Sequence, residues 1–274
     1  MSKQRGFLKW AGNKYQCIEH LLSVLPIANR LIEPFAGSAA VFMNTAYPKY
    51  MLAEKNQDLI SLFLHLQAEG DDFILYCKEL FVPNNNDKET YISLREKFNR
   101  CTGTRQRAQL FLYLNRHGFN GLCRYNSRGI YNVPFGLNVR PYFPQKEMKI
   151  FHSKSKNAEI IHADFVDTFA LAKAGDVIYC DPPYSPKIQQ SNFTAYTSQP
   201  FGVQEQLKLA QLAQETAQAG ITIIISNHDT PETRAYYQGA KIHSFDVKRL
   251  ISCRADSRIN ARELLAVYQP GNFG

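Results

Sequence analysis

The chain has 274 residues, 45% of them hydrophobic, which is enough for a sizeable core and one catalytic domain with an insertion. Thirty-two Lys and Arg against 24 Asp and Glu leave a net charge of +8, a surplus that favours a polyanionic partner. Six scattered cysteines and seven histidines without an H-x-x-x-H pair argue against zinc, C-x-x-C redox chemistry or any other metal site, and no apolar leader or spanning run is present, so a cytoplasmic protein off the membrane is expected.

Residues 1–14 read as an irregular basic arm carrying Lys3, Arg5, Lys9 and Lys14, followed by a helix to about Leu25 that Pro26 stops. Leu31-Ile32 is a short buried strand ending at Glu33-Pro34. The turn Phe35-Ala36-Gly37-Ser38 then leads into a helix over Ala39 to Ala46, and Tyr50 to Ala53 forms a second strand closed by Glu54. Strand, small-residue turn, helix, strand and acid is the order of a nucleotide-binding βαβ half. From Asn56 to about Arg116 the pattern is helical in three or four pieces, broken by the polar turn Pro83 to Asp87. His117 to Tyr142 changes character: glycines punctuate a segment rich in Asn, Arg and aromatics, which predicts hairpin and loop. From Arg95 to Arg140 there are nine Lys or Arg and one acid, Glu96; a solvated helix face would read the same way.

The α/β pattern then resumes. Ile160-Ile161 is a strand before Asp164-Phe165, and Val177 to Cys180 is a buried strand running into Asp181-Pro182-Pro183-Tyr184. Val203 to Ala219 is a helix. Ile221 to Ile225 is a β-branched strand ended by Ser226-Asn227-His228-Asp229, and the remainder through Leu264 to Tyr268 reads as edge strands. The layout is an α/β body, residues 1–55 and 145–274, interrupted by an insert over residues 56–144.

Three motifs carry chemistry. In Asp181-Pro182-Pro183-Tyr184 two prolines remove backbone donors and stiffen the turn. The Pro182 carbonyl and the Asp181 carboxylate can then accept from an amino group, localising electron density on a reluctant nitrogen and stabilising the charge that develops on it. Tyr184 offers a flat face for an extruded base. A rigid strand-to-loop turn is the plainer reading of D-P-P alone. In the second motif, Gly37 permits close approach of a ligand and Glu54 can accept from both hydroxyls of a ribose. With one glycine the turn suits S-adenosylmethionine better than a pyrophosphate. The third is Phe7 to Lys14, where Trp10 is the only tryptophan, more often a core anchor, and Lys14 can pair with a methionine carboxylate. Cys180 ends an apolar strand and reads as core rather than nucleophile. His228 can serve as a base or merely line a pocket.

Taken in order, Trp10-Ala11-Gly12-Asn13-Lys14, Glu33-Pro34-Phe35-Ala36-Gly37 and Asp181-Pro182-Pro183-Tyr184 resemble the D12-class (α-group) adenine-N6 DNA methyltransferases, and among them the bacterial enzymes that modify GATC. The likeness runs from Phe7 to about Pro270. It includes the blocks Phe111 to Arg116, Asn120 to Asn126, Asn132 to Gly136, Asn192 to Tyr196 and Ser226 to Thr230.

The resemblance implies a Rossmann-like S-adenosylmethionine-dependent methyltransferase sheet with an inserted helical and β-hairpin DNA-recognition domain. It implies methyl transfer to adenine N6 in duplex DNA by base flipping and direct in-line attack, by a monomer with no obligate protein partner. Trp10, Lys14, Phe35, Gly37, Glu54, Asp164, Phe165 and Asp181 fall at cofactor positions, and Asp181, Pro182 and Tyr184 at the target-base pocket. Arg124, Leu122 and Pro134 fall where GATC bases are read, Phe119 and Asn120 where a pair wedges into the duplex, and Lys9 at a base-contacting position. Arg fits the O6 and N7 edge of guanine. The remaining cations of the insert would meet phosphates; a second cluster of Lys248, Arg249, Arg254, Arg258 and Arg262 reads equally as phosphate contacts or as a solvated edge. Three positions depart from the pattern: Ala39 replaces the second glycine of the turn, Glu54 an Asp, and Phe119 a Tyr. A methyltransferase acting on RNA or a protein amide, and a DNA-binding module without catalysis, are the alternatives.

Overall fold

Strands and helices alternate as the apolar pattern requires, and they assemble around one sheet. The computed structural model describes residues 3–184, 201–247 and 261–271. Among these, the strands are β1 (Arg30–Glu33), β2 (Lys49–Glu54), β3 (Ala158–His162), β4 (Asp176–Cys180), β5 (Thr222–His228), β6 (Lys241–Val247) and β7 (Ala261–Tyr268). They form a seven-stranded sheet in the order β3-β2-β1-β4-β5-β7-β6. The first five are parallel, and β7 lies antiparallel between β5 and β6.

The helices are α1 (Ile18–Leu22), α2 (Ala40–Asn44), α3 (Gln57–Glu69), α4 (Asp71–Lys78), α5 (Lys88–Arg100), α6 (Thr104–His117), α7 (Gln145–Ser155), α8 (Phe165–Ala170), α9 (Val203–Gln218) and α10 (Pro231–Tyr236). Local signals start several of them. Asn56 accepts from the amides of Asp58 and Leu59 at α3, Asp87 from Glu89 and Thr90 at α5, and Asp164 from Val166 at α8. These side chains satisfy first-turn N–H groups that have no partner within the helix.

Successive residues of each strand feed opposite faces. Leu31, Tyr50, Leu52, Val177, Tyr179, Ile224, Leu265 and Val267 join a core that continues through α3, α5 and α6 into Tyr131 and Val133. Ile32, Met51, Ile178, Cys180, Ile223, Ile225 and Ala266 meet α8 and α9 on the other face. Cys180 is therefore core, as its strand position implies. The chain between β2 and β3 shares one continuous apolar core with the sheet, and α3 packs on both β2 and β3.

Several boundaries differ from the sequence reading. The first helix is a single turn and a half rather than a run to Leu25. The helix α7, a single two-sided segment whose Met148 and Phe151 are buried, falls where the insert was expected to have ended. Of the two last strands, β6 is an edge and β7 is interior, because β7 enters between β5 and β6. Sequence alone gives an apolar strand no sign of which neighbours flank it. The strand β5 runs on to His228, so Ser226 and His228 are strand residues on the face of Ile224. The block Asn192 to Tyr196 and the cations Lys248, Arg249, Arg254 and Arg258 lie outside the described residues.

Candidate active site

The strand order reverses between β1 and β4, which opens a crevice beyond their C-terminal ends. The Glu33 turn leaves β1 there and the Asp181 loop leaves β4, so two motifs far apart in sequence become neighbours. Alternation places Tyr179 and Asp181 on one face, with Ser226 and His228 of β5 and Glu263 of β7 beside them; His228 and Glu263 are opposed in register.

Asp181 is held from two sides. The Lys14 ammonium lies 2.8 Å from its Oδ1, with side chains 6% and 21% exposed. Ser226 Oγ donates to the same oxygen at 2.9 Å, and the Tyr179 hydroxyl lies 3.0 Å from Ser226 Oγ. Burial by itself would lower the Lys14 ammonium, but the carboxylates of Asp181 and Glu263 and the Tyr184 phenol outweigh it and hold Lys14 above the ordinary lysine range. Lys14 also donates to the Gly12 carbonyl at 2.8 Å. It thus pairs with the Asp181 carboxylate, where the sequence had suggested a methionine carboxylate; one N–H remains for such a ligand.

Tyr184 is framed on three sides. The Lys14 ammonium stands 4.7 Å from its ring centre, His228 meets it edge-on at 4.5 Å, and its hydroxyl points at Glu263 Oε2, 3.5 Å away. Gln206 of α9 donates to the Pro183 carbonyl at 3.2 Å, while among the described residues none donates to the Pro182 carbonyl.

Along the other side of the crevice, Glu54 closes β2. Its Oε2 accepts from the Gly37 amide at 3.2 Å, and its Oε1 from the amides of Lys55 and Asn56. Burial raises the Glu54 carboxyl despite these donors. Gly37 has φ +48°, and a Cβ there would come 2.9 Å from the Trp10 indole nitrogen. Trp10 is half-buried against this turn, so the arm and the first strand-helix turn are locked together. Ala39, where a second glycine was expected, adopts the left-handed conformation at φ 56°, a strained setting for a residue with a side chain.

Phe35 and Phe165 stack with centres 5.6 Å apart, and Phe201 closes edge-on against both. Asp164 caps α8 and lies 3.3 Å from Lys55. Glu33 is 2% exposed and its Oε1 has no partner among the described residues. Burial pushes its carboxyl up to about 8. Carboxyl groups thus sit at the ends of β1, β2 and β4. A carboxylate at the end of β2 and a cluster of aromatic rings suit the ribose and base of a nucleoside.

The third group of residues lies on the insert. The α6 helix ends at His117, and Phe119–Gly121 forms a 3-10 turn with Asn120 at φ 52°. Phe119 and Asn120 are exposed. The Phe119 amide donates to the Pro134 carbonyl at 2.9 Å, which brings two predicted positions side by side. Beyond it a hairpin carries Leu122 and Arg124, pairs Tyr125 with Tyr131, and turns through Asn126 to Ile130. It is held by isolated bridges rather than a ladder. Arg124 is fixed by Asn132, with Nε to Oδ1 at 2.8 Å and Nη2 to the carbonyl at 3.2 Å. Among the described residues, nothing accepts from its Nη1 or from its second Nη2 hydrogen.

The arm reaches this tip. Asn115 of α6 accepts from the Lys9 amide and donates to the carbonyls of Lys9 and Gly121. A Cβ on Gly121 would lie 2.2 Å from Lys9 Cβ. Lys9 is half-buried, and burial together with nearby Arg116 lowers its ammonium.

The expectation that the insert's remaining cations meet phosphates needs correction. Arg107 forms a bidentate pair with Asp58, which also accepts from the Tyr125 hydroxyl at 2.6 Å. Arg105 pairs with Glu69, and Arg116 is buried and donates to the Tyr142 carbonyl. Their carboxylate partners lie on α3, outside the stretch where the charges were counted. Tyr179, Gln206 and Glu263 were missed altogether, and Asn115 and Ser226 were seen only as parts of matching blocks. Tyr179, Asn115 and Ser226 end or interrupt apolar runs, which was the available signal, whereas Gln206 and Glu263 have charged neighbours in sequence and gave none.

With this geometry in view, the comparisons agree. The profile of the D12 class N6 adenine-specific DNA methyltransferases matches residues 10–251. The chain is 47% identical to the DNA adenine methylase of Salmonella typhi, with 99% of this chain and 98% of that one aligned. It is 46% identical to the DNA adenine methylase of Escherichia coli K12 over the same shares. The DNA adenine methylase of Vibrio cholerae is also 46% identical, with 98% of both chains aligned.

Proposed function

The chain belongs to the D12 class of N6 adenine-specific DNA methyltransferases, and from that premise we propose that it uses S-adenosylmethionine to methylate the adenine of GATC in duplex DNA after flipping that base out of the helix. The observation that carries the reading is the meeting of the Asp181-Pro182-Pro183-Tyr184 loop with Lys14 at the sheet's switch point, beside the Gly37 turn that donates to Glu54.

Each residue has a chemical task. Adenine N6 is a poor nucleophile because its lone pair is delocalised into the ring. The Asp181 carboxylate and the Pro182 carbonyl accept from its two N–H bonds, favour a pyramidal nitrogen and stabilise the positive charge that develops there. One face of Tyr184 is taken by Lys14, and the other receives the flipped base. Lys14 pairs with the Asp181 carboxylate and holds it in place. The proton lost from nitrogen leaves to water.

Glu54 would hold the ribose hydroxyls of the cofactor, with Trp10, Phe35 and Phe165 packing about its adenosine. Bound there, S-adenosylmethionine supplies an electrophilic methyl group on a sulfonium sulfur. Residues 56–144 serve as the DNA-recognition insert: Arg124 reads guanine, Leu122 and Pro134 meet a thymine methyl, Lys9 contacts a base, and Phe119 with Asn120 enters the space of the displaced adenine. Phe119 stacks as Tyr would but lacks a hydroxyl for a phosphate. The protein acts as a monomer in the cytoplasm. Among the described residues no helix is long and apolar enough to cross a membrane.

Duplex DNA treated with protein and cofactor should resist a nuclease that cuts only unmethylated GATC and become sensitive to one that cuts only the methylated site. Protection at a different sequence would overturn the GATC assignment. Label transferred to RNA or protein but not to duplex DNA would overturn the substrate.

A further inference from the structure

Asp181 Oδ1 already accepts from both Lys14 Nζ at 2.8 Å and Ser226 Oγ at 2.9 Å. An ionised carboxylate can only accept, so the single Ser226 hydroxyl proton is committed to Asp181, where the charge makes the bond strongest. The competing contact, to the Cys180 carbonyl, is longer at 3.4 Å. Ser226 Oγ must then accept from the Tyr179 hydroxyl at 3.0 Å. Tyr179 then donates to Ser226 and Ser226 to Asp181, with the Tyr184 hydroxyl as a second hydroxyl neighbour of Ser226. Tyr179 and Ser226 are 2% and 1% exposed, so no bulk water competes for these bonds. Burial and the nearby carboxylate of Asp181 hold the Tyr179 phenol well above its ordinary range, so it stays a donor.

We infer that Tyr179 and Ser226 are positioning residues that lock the rotation of Asp181, dedicating Oδ1 to the protein and leaving Oδ2 to accept from the target amino group. The inference deepens the reading of Asp181 as the acceptor and rests on it. The two residues touch neither base nor cofactor; they act through the carboxylate. Strand alternation explains why the device comes from β4 and β5. Tyr179 lies on β4, Asp181 follows two residues later just past the strand's end, and Ser226 stands beside them on β5.

The test is the single-turnover methylation rate on a duplex with one target site at saturating cofactor, for the full-length protein and its variants. Ser226→Ala should lower that rate about 10- to 100-fold, the equivalent of one hydrogen bond to a charged group. Half-saturating concentrations of DNA and cofactor should stay within about twofold of the parent. Tyr179→Phe alone should lose less, about two- to fivefold. Ser226→Ala leaves the Tyr179 hydroxyl buried without its partner, so it should also lower the Tm. The double variant Tyr179→Phe with Ser226→Ala removes that orphan and should recover much of the Tm while its rate stays low.

A merely structural pair predicts instead that rate returns with stability. That result would overturn the inference, as would Ser226→Ala turning over within about twofold of the parent. Asp181→Asn, run alongside, separates the two layers. Full activity there would defeat the reading of Asp181 itself, whereas its loss together with an unaffected Ser226→Ala would defeat only the positioning role.

Discussion

Glu54 and His117 show how single buried groups set measurable properties. Glu54 is aimed by three backbone amides, from Gly37, Lys55 and Asn56, so Glu54→Gln keeps the size but exchanges an acceptor oxygen for a donor facing those amides. The KM for S-adenosylmethionine should rise about tenfold or more, with duplex affinity little changed; equal cofactor affinity would remove Glu54 from the ribose site. His117 donates from Nδ1 to the Tyr113 carbonyl, 3.0 Å away, and is 2% exposed. Burial lowers its pKa from 6.5 to about 4. Below the unfolded value the unfolded chain takes up a proton that the folded chain refuses, so stability falls as pH drops through this window. The loss approaches roughly 3 kcal/mol by pH 4. His117→Gln should flatten the denaturation midpoint against pH between about 6.5 and 4; an unchanged slope would exclude His117 as its source.

At the scale of elements, the strand-turn-helix-strand start, the four-part helical stretch and the strand before Asp181 were legible, because hydrophobic period and turn residues are local signals. The single-turn α1 and the two-sided α7 were not, since short helices draw their stability from tertiary packing rather than from period. The site was legible where a motif is contiguous, as in Asp181 to Tyr184 or Trp10 to Lys14. Contacts that cross the fold could not be read: Lys14 with Asp181, Ser226 with Asp181, Arg107 with Asp58. Asn115 is the clearest element-level case, because it joins the arm, α6 and the tip of the insert by three hydrogen bonds while 1% exposed. Asn115→Ala leaves those backbone groups partly unsatisfied and should cost about 2–4 kcal/mol in chemical denaturation. Loss below about 0.5 kcal/mol would mean that the arm docks without it.

The reversal of strand order gathers the Asp181 loop, the Gly37 turn with Glu54 and the arm at one end of the sheet, while the insert extends the same core outward to the hairpin. Net charge alone misjudges which cations contribute to binding. Arg107 is already paired with Asp58, whereas Arg128 is exposed on the hairpin turn. Arg128→Ala should reduce the slope of log affinity against log salt by about 1. Arg107→Ala should destabilise the protein and leave that slope unchanged; the reverse pattern would mean that the internal pairing does not persist on DNA. The central claim is that Asp181 and Pro182 make an exocyclic amine reactive. Its most direct measurement is mass spectrometry of the nucleosides from a GATC-containing duplex incubated with purified protein and S-adenosylmethionine. The account predicts N6-methyldeoxyadenosine with the parent protein and none with Asp181→Ala, which should still bind the duplex. Methylation on cytosine, or undiminished N6-methyldeoxyadenosine from Asp181→Ala, would contradict it.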